Sequence, residues 1–273
     1  MRAGLTLVLL TIAAGRALAQ TITLQIKPHV GDTLRMRLDQ QSEMTGVKQT
    51  SAGESSAIIV TTMKMFSRAI VEAGSDKETT VLAVTDSVLL TTSDQHARAA
   101  AARAEAQLRG QRVRFHVAPD GSVGMNDSDR TARDVAQVVS LMPAAFPRAP
   151  ISVGESWIRE MTLPGGQMVG QLAGKLYVTF RFDSLTHGGD WAFVSMRGEL
   201  RPTAGPGVTV GPILEKGVVN GTMLVDQKRR WLTESWFSIV MSSVVTPPLM
   251  SGVVSMHMLT RITQHMHTIG KQR

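Results

Sequence analysis

The feature that most constrains this chain is a long two-residue alternation that runs from Gln167 to Ser184. The even positions up to residue 182 carry apolar side chains or glycine, whereas most odd positions are polar or charged. Successive side chains of a β-strand point to opposite faces, so the pattern predicts a strand with one buried face and one solvated face. A strand of this length is typical of a sheet that curves, and Gly170 and Gly174 on the apolar face are expected to mark the bend.

Strand patterns recur along most of the remaining chain. Thr33 to Thr45 alternates in the same way, and Ala57 to Val71 and Glu78 to Thr92 are predicted to form a hairpin around a short polar turn. The strands predicted in the second half are Trp191–Leu200, Val218–Val225, Arg230–Val244 and Gly252–Thr268. The fold class that follows is mainly β, either a long-stranded, curved antiparallel sheet or a partly open barrel.

Two segments interrupt the strand pattern and predict helices. Residues 93–109 are rich in alanine and arginine, contain no β-branched residue and are followed by Gly110, which is typical of a helix C-terminus. Ser93 or Asp94 is expected to cap the N-terminus of this helix. Residues 127–141 form the second predicted helix, with valines on its apolar side. Both helices are expected to cover one opening or face of the sheet.

The N-terminal residues have the three-part pattern of an export signal. Arg2 precedes an apolar run from Leu5 to Ala14, which is too short to span a bilayer. Residues 17–19 have the small-x-small pattern that signal peptidase requires, so cleavage after Ala19 is predicted. The alternative is a buried N-terminal helix. Cleavage predicts an exported protein, periplasmic or extracellular, and no later stretch is apolar for long enough to form a transmembrane helix.

The mature chain, residues 20–273, contains no cysteine, so its core must hold the fold together without disulfides. Its length suits a single β-rich domain. A short sequence echo raises the further hypothesis of two pseudo-repeated halves, residues 20–149 and 150–273, because Val30-Gly31-Asp32-Thr33 resembles Val153-Gly154-Glu155-Ser156. The alternative is ordinary turn chemistry, in which glycine allows the bend and the acid or hydroxyl bonds to nearby backbone.

The net charge of the chain indicates which kinds of molecule it would bind. The formal net charge is +7 and the basic residues are spread along the chain. A positive balance favours anionic partners such as lipid headgroups. Aromatic residues make up 4% of the chain and no basic run is interleaved with them, which argues against nucleic-acid binding. The expected partner is therefore a lipid or another component of the cell envelope.

Two short motifs give the chain a resemblance to a known class of proteins. One is Val153 to Trp157, which follows a proline-bounded connection, and the other is a hairpin that contains Gly221–Asp226 and Trp231–Ser235. Together they resemble exported bacterial β-rich proteins of unknown function, although residues 228–230 are Lys-Arg-Arg where that class has a glycine. The resemblance implies a β-rich fold and an exported location, and it brings no catalytic residues. A more distant similarity is to the curved-sheet carriers that move lipids or lipoproteins across the periplasm.

No catalytic or cofactor-binding motif has the required spacing. Gly53 to Ala57 resembles a nucleophile elbow but lacks its final glycine, and Gly170 to Lys175 lacks the spacing of a phosphate-binding loop. His265 and His267 are expected on one face of a strand, but His257 lies too far along that strand to share an ion with them. The neighbouring methionines belong to the opposite face. The sequence therefore predicts no catalytic residue, no cofactor and no metal site.

Two features suggest an apolar contact. The chain has 16 methionines, and methionine both fills irregular cores and lines adaptable apolar pockets. The connection Val244–Gly252 contains two prolines and no charge, and it carries Leu249 and Met250. These two side chains either fold back over the end of the core or contact a ligand, a partner or a membrane.

The function predicted from these features is that of an exported, non-enzymatic binding module for an apolar or amphiphilic ligand. The first alternative is a structural or interaction protein of the cell envelope without a pocket. A weaker alternative is a hydrolase with an unrecognised site. A continuous apolar cavity favours the binding module, whereas a histidine or acid with a polar partner at the cavity mouth favours the hydrolase.

Overall fold

A computed structural model of the chain describes residues 21–50, 53–124, 146–162, 174–202, 211–246 and 256–270. Several of the sequence predictions lie outside these residues. They are the signal peptide at residues 1–19, the helix at residues 127–141, the first part of the long alternation with Gly170, and the contact residues Leu249 and Met250.

The described residues form thirteen strands, one α-helix and one short 3-10 helix at His187–Gly189. The other elements are β1 Thr21–Ile22, β2 Thr33–Thr50, β3 Gly53–Gly74, β4 Thr79–Thr92, α1 Arg98–Leu108, β5 Arg112–Val117, β6 Val123–Gly124, β7 Ile151–Ser152, β8 Ser156–Thr162, β9 Gly174–Thr186, β10 Trp191–Pro202, β11 Gly211–Asp226, β12 Trp231–Thr246 and β13 Met256–Ile269.

Eleven of the strands form one antiparallel sheet in the order β6-β5-β4-β3-β2-β13-β12-β11-β10-β9-β8, and β1 pairs with β7 as a separate short ladder. Strands that follow one another in sequence are neighbours except at the centre, where the first long strand, β2, pairs with the last strand, β13. The edge strands β6 and β8 do not pair with each other in the described residues, so the sheet does not close into a barrel. The mainly β, antiparallel prediction is therefore confirmed, with an open sheet.

Hydrogen bonds of the N-terminal segment show that this open sheet is strongly curled. The N–H of Ile26 donates to the carbonyl of Pro119, just after β5, and the N–H of Lys27 donates to the carbonyl of Arg230, just before β12, both at 2.9 Å. Strands β5 and β12 are five positions apart in the sheet, or roughly 24 Å if the sheet were flat, at about 4.8 Å per strand. Two adjacent residues reach both strands only because the sheet curls, and the segment crosses its inner face.

The turn before β12 contains a left-handed backbone conformation at a residue that is not glycine. Arg230 has a φ angle of +51°, in the left-handed region that costs a non-glycine residue roughly 1–2 kcal/mol. The carbonyl of Asp190 accepts a hydrogen bond from the N–H of Gln227 at 2.8 Å, and Lys228 forms an ion pair with the Asp190 carboxylate at 2.6 Å. These contacts hold the turn, so the Lys-Arg-Arg sequence forms the hairpin turn without a glycine.

Strand β9 shows the alternation that the sequence predicts. Leu176, Val178, Phe180 and Phe182 are buried, and the residues between them are exposed or half-buried. Phe180 stacks on Trp157 of β8, with ring centroids 5.5 Å apart. Apolar side chains from the corresponding face of the other strands join one hydrophobic core with them. The buried face is therefore the inner face of the curled sheet.

One predicted helix is present in the described residues. Helix α1, Arg98–Leu108, lies inside the predicted range 93–109, and none of its residues is buried. It lies along β4, beyond the point where the shorter strand β5 stops pairing. The carboxylate of Glu105 accepts a hydrogen bond from the backbone N–H of Leu90 at 3.1 Å. The helix therefore supplies a partner to a sheet edge that β5 leaves unpaired.

The two copies of the sequence echo form the same turn. Gly31 and Gly154 have φ angles of +91° and +94°, which glycine adopts without strain. In each turn the N–H of the glycine donates a hydrogen bond to a carbonyl of a neighbouring strand. The N–H of the residue that carries this carbonyl donates in return to the carbonyl of the acidic residue that follows the glycine. The side chain of that acid, Asp32 or Glu155, also accepts a hydrogen bond from backbone three residues earlier. Two related halves and ordinary turn chemistry both predict this geometry, so the hypothesis of pseudo-repeated halves stays a proposal.

Candidate functional site

An apolar cavity of about 110 Å³ lies on the inner face of the sheet. One wall consists of inward side chains of β2, β3, β4, β5 and β13. The other wall consists of the N-terminal segment, the β5–β6 region and the start of β12. The lining residues are Ile26, Met36, Leu38, Met65, Ser67, Arg68, Ala69, Ala83, Phe115, Val117, Gly121, Val123, Trp231, Leu232, Gln264 and Met266. Because the curl of the sheet brings these two walls together, the cavity is a product of the topology.

Small and flexible side chains leave this space inside the core. Ala69 of β3 and Ala83 of β4 are direct cross-strand partners, and both line the cavity at positions where larger side chains would fill it. Met36, Met65 and Met266 line the same space. Their unbranched thioether chains adapt to the shape of an occupant. Methionines therefore line a pocket in this protein as well as filling its core.

Two polar side-chain atoms of the lining lack a hydrogen-bond partner among the described residues. They are the indole Nε1 of Trp231 and the amide Oε1 of Gln264, and the two residues are 7% and 2% exposed. A buried polar atom without a partner costs roughly 1–3 kcal/mol, and native proteins leave few of them. The indole N–H is a donor and the amide oxygen is an acceptor. The residues that line the cavity therefore include one donor and one acceptor without partners among the described residues.

The charged residue of the lining, Arg68, is already paired. Its Nε and Nη2 atoms lie 2.9 Å and 2.8 Å from Oδ1 of Asp86. The described lining contains no histidine, aspartate or glutamate. The described lining therefore presents neither an unpaired charge for an anionic headgroup nor an acid–base pair for hydrolysis.

A turn at residues 118–122 closes one side of the cavity region. The carbonyl of Asp120 accepts a hydrogen bond from the N–H of the buried Phe146 at 2.7 Å. The Asp120 carboxylate accepts hydrogen bonds from the hydroxyl and the backbone N–H of Ser122. Burial acts to raise the pKa of Asp120, but these hydrogen bonds and the positive charges of Arg148 and Arg159 lower it overall.

We expect the stability that Asp120 contributes to be lost in acid. Because the pKa of this carboxyl is lower in the folded protein than in the unfolded chain, folding favours its ionised form. The contribution is fully present above the unfolded pKa and disappears as pH falls through the folded pKa. Thermal unfolding measured from about pH 6 down to about pH 2 should show Asp120→Asn melting below the wild type at the upper end and converging with it at the lower end. Parallel curves for the two proteins would contradict this role.

The outer face of the central strands carries the histidines that the sequence analysis considered. His265 and His267 of β13 lie side by side with ring centroids 5.0 Å apart, and Met266 between them is buried on the inner face. His257 is on the outer face too, but it lies opposite Val47, toward the other end of the strand. The structure therefore brings two of the three histidines together and leaves the third apart, as expected.

The structure adds two acidic residues that the sequence analysis missed. Asp39 of β2 lies directly opposite His265, and ligand atoms of Asp39, His265 and His267 all lie within 4.8 Å of one another. Glu234 of β12 flanks the histidines on the other side, with its Oε1 atom 2.8 Å from Nε2 of His265. Only the pairing of β2 and β12 with β13 brings these residues together. No local motif could have identified the cluster.

Sequence comparison identifies no relative of this chain. No protein-family model matches it, and no curated protein sequence is significantly similar to it. The resemblance to exported β-rich bacterial proteins therefore has no support from a family model.

Comparison with solved structures finds a shared fold. The chain is similar to lipovitellin, from a structure that describes lipid–protein interactions, with a TM-score of 0.52 and 12% sequence identity. The match covers 89% of this chain and 25% of that chain, so this chain spans about a quarter of the length of the lipovitellin chain. At this identity the likeness shows the fold alone.

Two other matches are much weaker. DynF, from the dynemicin biosynthesis pathway of Micromonospora chersina, has 9% identity over 94% of this chain and 88% of that chain, with a TM-score of 0.23. A domain from Vibrio parahaemolyticus, described as an outer membrane lipoprotein-sorting protein domain, has 9% identity over 85% and 83%, with a TM-score of 0.15. These TM-scores are too low to support a common fold.

Proposed function

We propose that this protein is an exported, non-enzymatic binding module that holds an apolar or amphiphilic ligand in the cavity of its inner face. One observation carries the proposal: an apolar lining that contains two buried polar atoms, Trp231 Nε1 and Gln264 Oε1, without partners in the described structure. Apolar walls with a few placed polar groups are the usual composition of small-molecule sites.

The ligand that fits best carries an uncharged hydroxyl group. A hydroxyl oxygen can accept a hydrogen bond from an indole N–H such as that of Trp231, and its hydrogen can be donated to an amide oxygen such as that of Gln264, so this group matches the chemistry of both atoms. A carboxylate has no hydrogen to donate to the amide oxygen, and the guanidinium of Arg68 is already paired with Asp86.

The size of the cavity limits how much of the ligand it encloses. Its volume of about 110 Å³ is smaller than the engineered cavity of about 150 Å³ that holds benzene in another protein. The cavity therefore takes one ring or the hydroxyl-bearing end of a chain, and the rest of a longer ligand extends out of it. The methionines of the lining allow a modest expansion.

The fold likeness to lipovitellin supports the same proposal. The structure of that protein describes lipid–protein interactions, and its sheet is shared by most of this chain. The likeness carries no residue of a site across at 12% identity. The chemistry of the ligand is therefore argued from the cavity alone.

Purified protein is expected to bind 1-dodecanol more tightly than dodecane, because the alkane leaves both buried polar atoms unsatisfied. The expected advantage is about tenfold, corresponding to roughly 1–1.5 kcal/mol for the regained hydrogen bonds. Binding is measured by titration in ¹H–¹⁵N spectra, where the indole N–H signal of Trp231 should move with the alcohol and much less with the alkane.

Three variants test where and how the probes bind. Ala83→Phe fills the cavity and should abolish dodecanol binding with little loss of stability. Ala57→Phe makes the same change at an exposed position of β3 and should bind as the wild type does. Trp231→Phe keeps the apolar contact but removes the donor, so the advantage of dodecanol over dodecane should shrink to that of the hydrogen bond with Gln264 alone. Binding that survives in Ala83→Phe would contradict the cavity, and equal binding of both probes by the wild type would contradict the hydroxyl preference.

The alternatives make different predictions. An envelope protein without a ligand predicts no saturable binding of either probe. A hydrolase predicts turnover, which the described lining does not support because it contains no histidine or acid.

Two further proposals concern the cellular location of the protein and a second point of contact at Leu249 and Met250. Export with cleavage after Ala19 rests on the N-terminal sequence. In the part of the chain that the structure describes, no helix has the length and hydrophobicity needed to cross a bilayer. Leu249 and Met250 remain proposed points of contact with a ligand or a membrane, on the grounds of their uncharged, proline-containing connection.

A further inference from the structure

Asp39, His265 and His267 form a group, here called the outer-face cluster, whose donors suit a metal ion. Two imidazoles come from alternate positions of β13, and a carboxylate comes from the facing position of β2. Their ligand atoms lie within 4.8 Å of one another. Ligand atoms of a tetrahedral Zn²⁺ site are roughly 3.3 Å apart, so these half-buried side chains need to close on an ion by only about 1.5 Å or less.

His267 supplies a second, independent observation. Its Nδ1 atom is buried and has no hydrogen-bond partner among the described residues. A neutral imidazole nitrogen without a proton is an acceptor that a metal ion satisfies directly. An ion that His267 binds through Nδ1 therefore accounts for a buried polar atom that the described residues leave without a partner.

Glu234 completes the surroundings of the cluster. Its Oε1 atom lies 2.8 Å from His265 Nε2, and Glu234 also faces His267 across the β12–β13 ladder. A carboxylate that holds one nitrogen of an imidazole orients the ring and makes its other nitrogen a better ligand. Metal-binding histidines usually have such a partner.

We propose that the outer-face cluster is a binding site for a divalent transition-metal ion of the Zn²⁺ type, with Asp39, His265 and His267 as protein ligands. Two imidazoles and one carboxylate suit Zn²⁺ and its neighbours, whereas Mg²⁺ and Ca²⁺ prefer sites made of oxygen atoms alone. A water molecule takes the remaining position, and Glu234 keeps its place beside His265. This proposal is independent of the ligand site proposed on the inner face, because the two sites lie on opposite faces of the sheet.

The positive charge of Arg37 competes with a metal ion for Asp39, and this competition gives the proposal a distinctive test. Its Nη2 and Nε atoms lie 2.9 Å and 2.8 Å from the two carboxylate oxygens of Asp39, and its guanidinium lies 5.6 Å from the ring centroid of Phe66. A bound ion must share Asp39 with this cation. Removal of the Arg37 charge should therefore strengthen metal binding, which is the opposite of its effect on a purely structural ion pair.

The site also joins the two parts of the sheet. Asp39 belongs to β2 and the histidines belong to β13, which is the pairing where the beginning and the end of the sheet meet. An ion that binds the folded protein and not the unfolded chain stabilises this pairing in proportion to its occupancy. The melting temperature should therefore rise with metal concentration.

Untagged protein, freed of metal with EDTA and dialysed, is titrated with ZnCl₂ by calorimetry. The expected result is one ion per chain, at least tenfold weaker binding in Asp39→Asn and in His267→Gln, and severalfold tighter binding in Arg37→Gln. His257→Gln is the matched control, because this residue is on the same face of the same strand but apart from the cluster. It should bind as the wild type does.

Melting curves without metal check that each variant folds, and the Zn²⁺-dependent rise in Tm provides a second readout. The wild type and His257→Gln should show this rise, and His267→Gln should not. No saturable binding by the wild type at about 1 mM Zn²⁺ would overturn the proposal. Equal binding by the wild type, Asp39→Asn and His267→Gln would overturn it too.

Discussion

Replacing Phe180 with aspartate is expected to prevent the protein from folding. The side chain is 0% exposed and stacks on Trp157, so the change removes a packed ring, at a cost of roughly 3–5 kcal/mol. It also places a carboxylate in the core without a cationic partner, which costs several kcal/mol more. A domain is stabilised by only about 5–15 kcal/mol in total. Soluble yield and far-ultraviolet circular dichroism measure the outcome.

The neighbouring residue provides the matched control. Thr179 is on the outer face of the same strand, where it is exposed and faces Ile158 and Arg197 of the adjacent strands. Thr179→Asp should change the free energy of unfolding by no more than about 0.5 kcal/mol. Similar behaviour of the two aspartate variants, whether both folded or both unfolded, would show that the inner and outer faces of β9 are wrongly assigned.

Gly198→Ala is expected to lower the free energy of unfolding by roughly 1–3 kcal/mol through overpacking. A Cβ atom at this position of β10 would lie 2.5 Å from the carbonyl oxygen of Tyr177 and 2.8 Å from a methyl group of Val219. The carbonyl oxygen belongs to the paired backbone of β9 and cannot move away as the end of a long side chain would. Urea denaturation of the variant and the wild type measures the difference.

Gly46→Ala tests whether crowding is the cause. Gly46 is also inside a long strand, but a Cβ atom there would meet only the side chain of Met256, at 3.3 Å from its sulfur. That flexible side chain can adjust, and alanine reduces the entropy of the unfolded chain, so stability should stay level or rise by up to about 1 kcal/mol. An equal loss in both alanine variants would attribute the effect to the change of residue type rather than to the close approach at Gly198.

Local patterns are enough to find the strands and their faces, because two-residue alternation requires only that one face be buried. The ends of elements are harder to predict. Strands β2 and β3 extend to Thr50 and Gly53, past the predicted Thr45 and Ala57, because polar residues there continue to pair without alternating. Helix α1 begins at Arg98, after the predicted start, because Ser93, an expected cap, still pairs with the sheet. The Ser93 N–H donates to the Val60 carbonyl, and the Ser93 Oγ accepts a hydrogen bond from the Val60 N–H.

The order of the strands and both candidate sites depend on contacts between distant segments. The cavity exists because Ala69 and Ala83 coincide across two strands and because the curl brings Trp231 to them. The outer-face cluster exists because Asp39 is in register with His265. Each residue is ordinary in its own stretch of sequence, so its role becomes visible only when the sheet is assembled.

The central pairing of β2 with β13 also determines when the sheet can be completed. Strands β2 to β6 and β8 to β13 each pair with their neighbours in sequence, so two separate meanders can form from local contacts. The remaining ladder joins residues such as Arg35 and Ile269, and contacts between such distant residues form slowly. Until the last strand has emerged, β2 keeps an unpaired edge that is open to wrong partners. On the proposed route of export, this arrangement would delay completion of the fold until strand β13 has crossed the membrane.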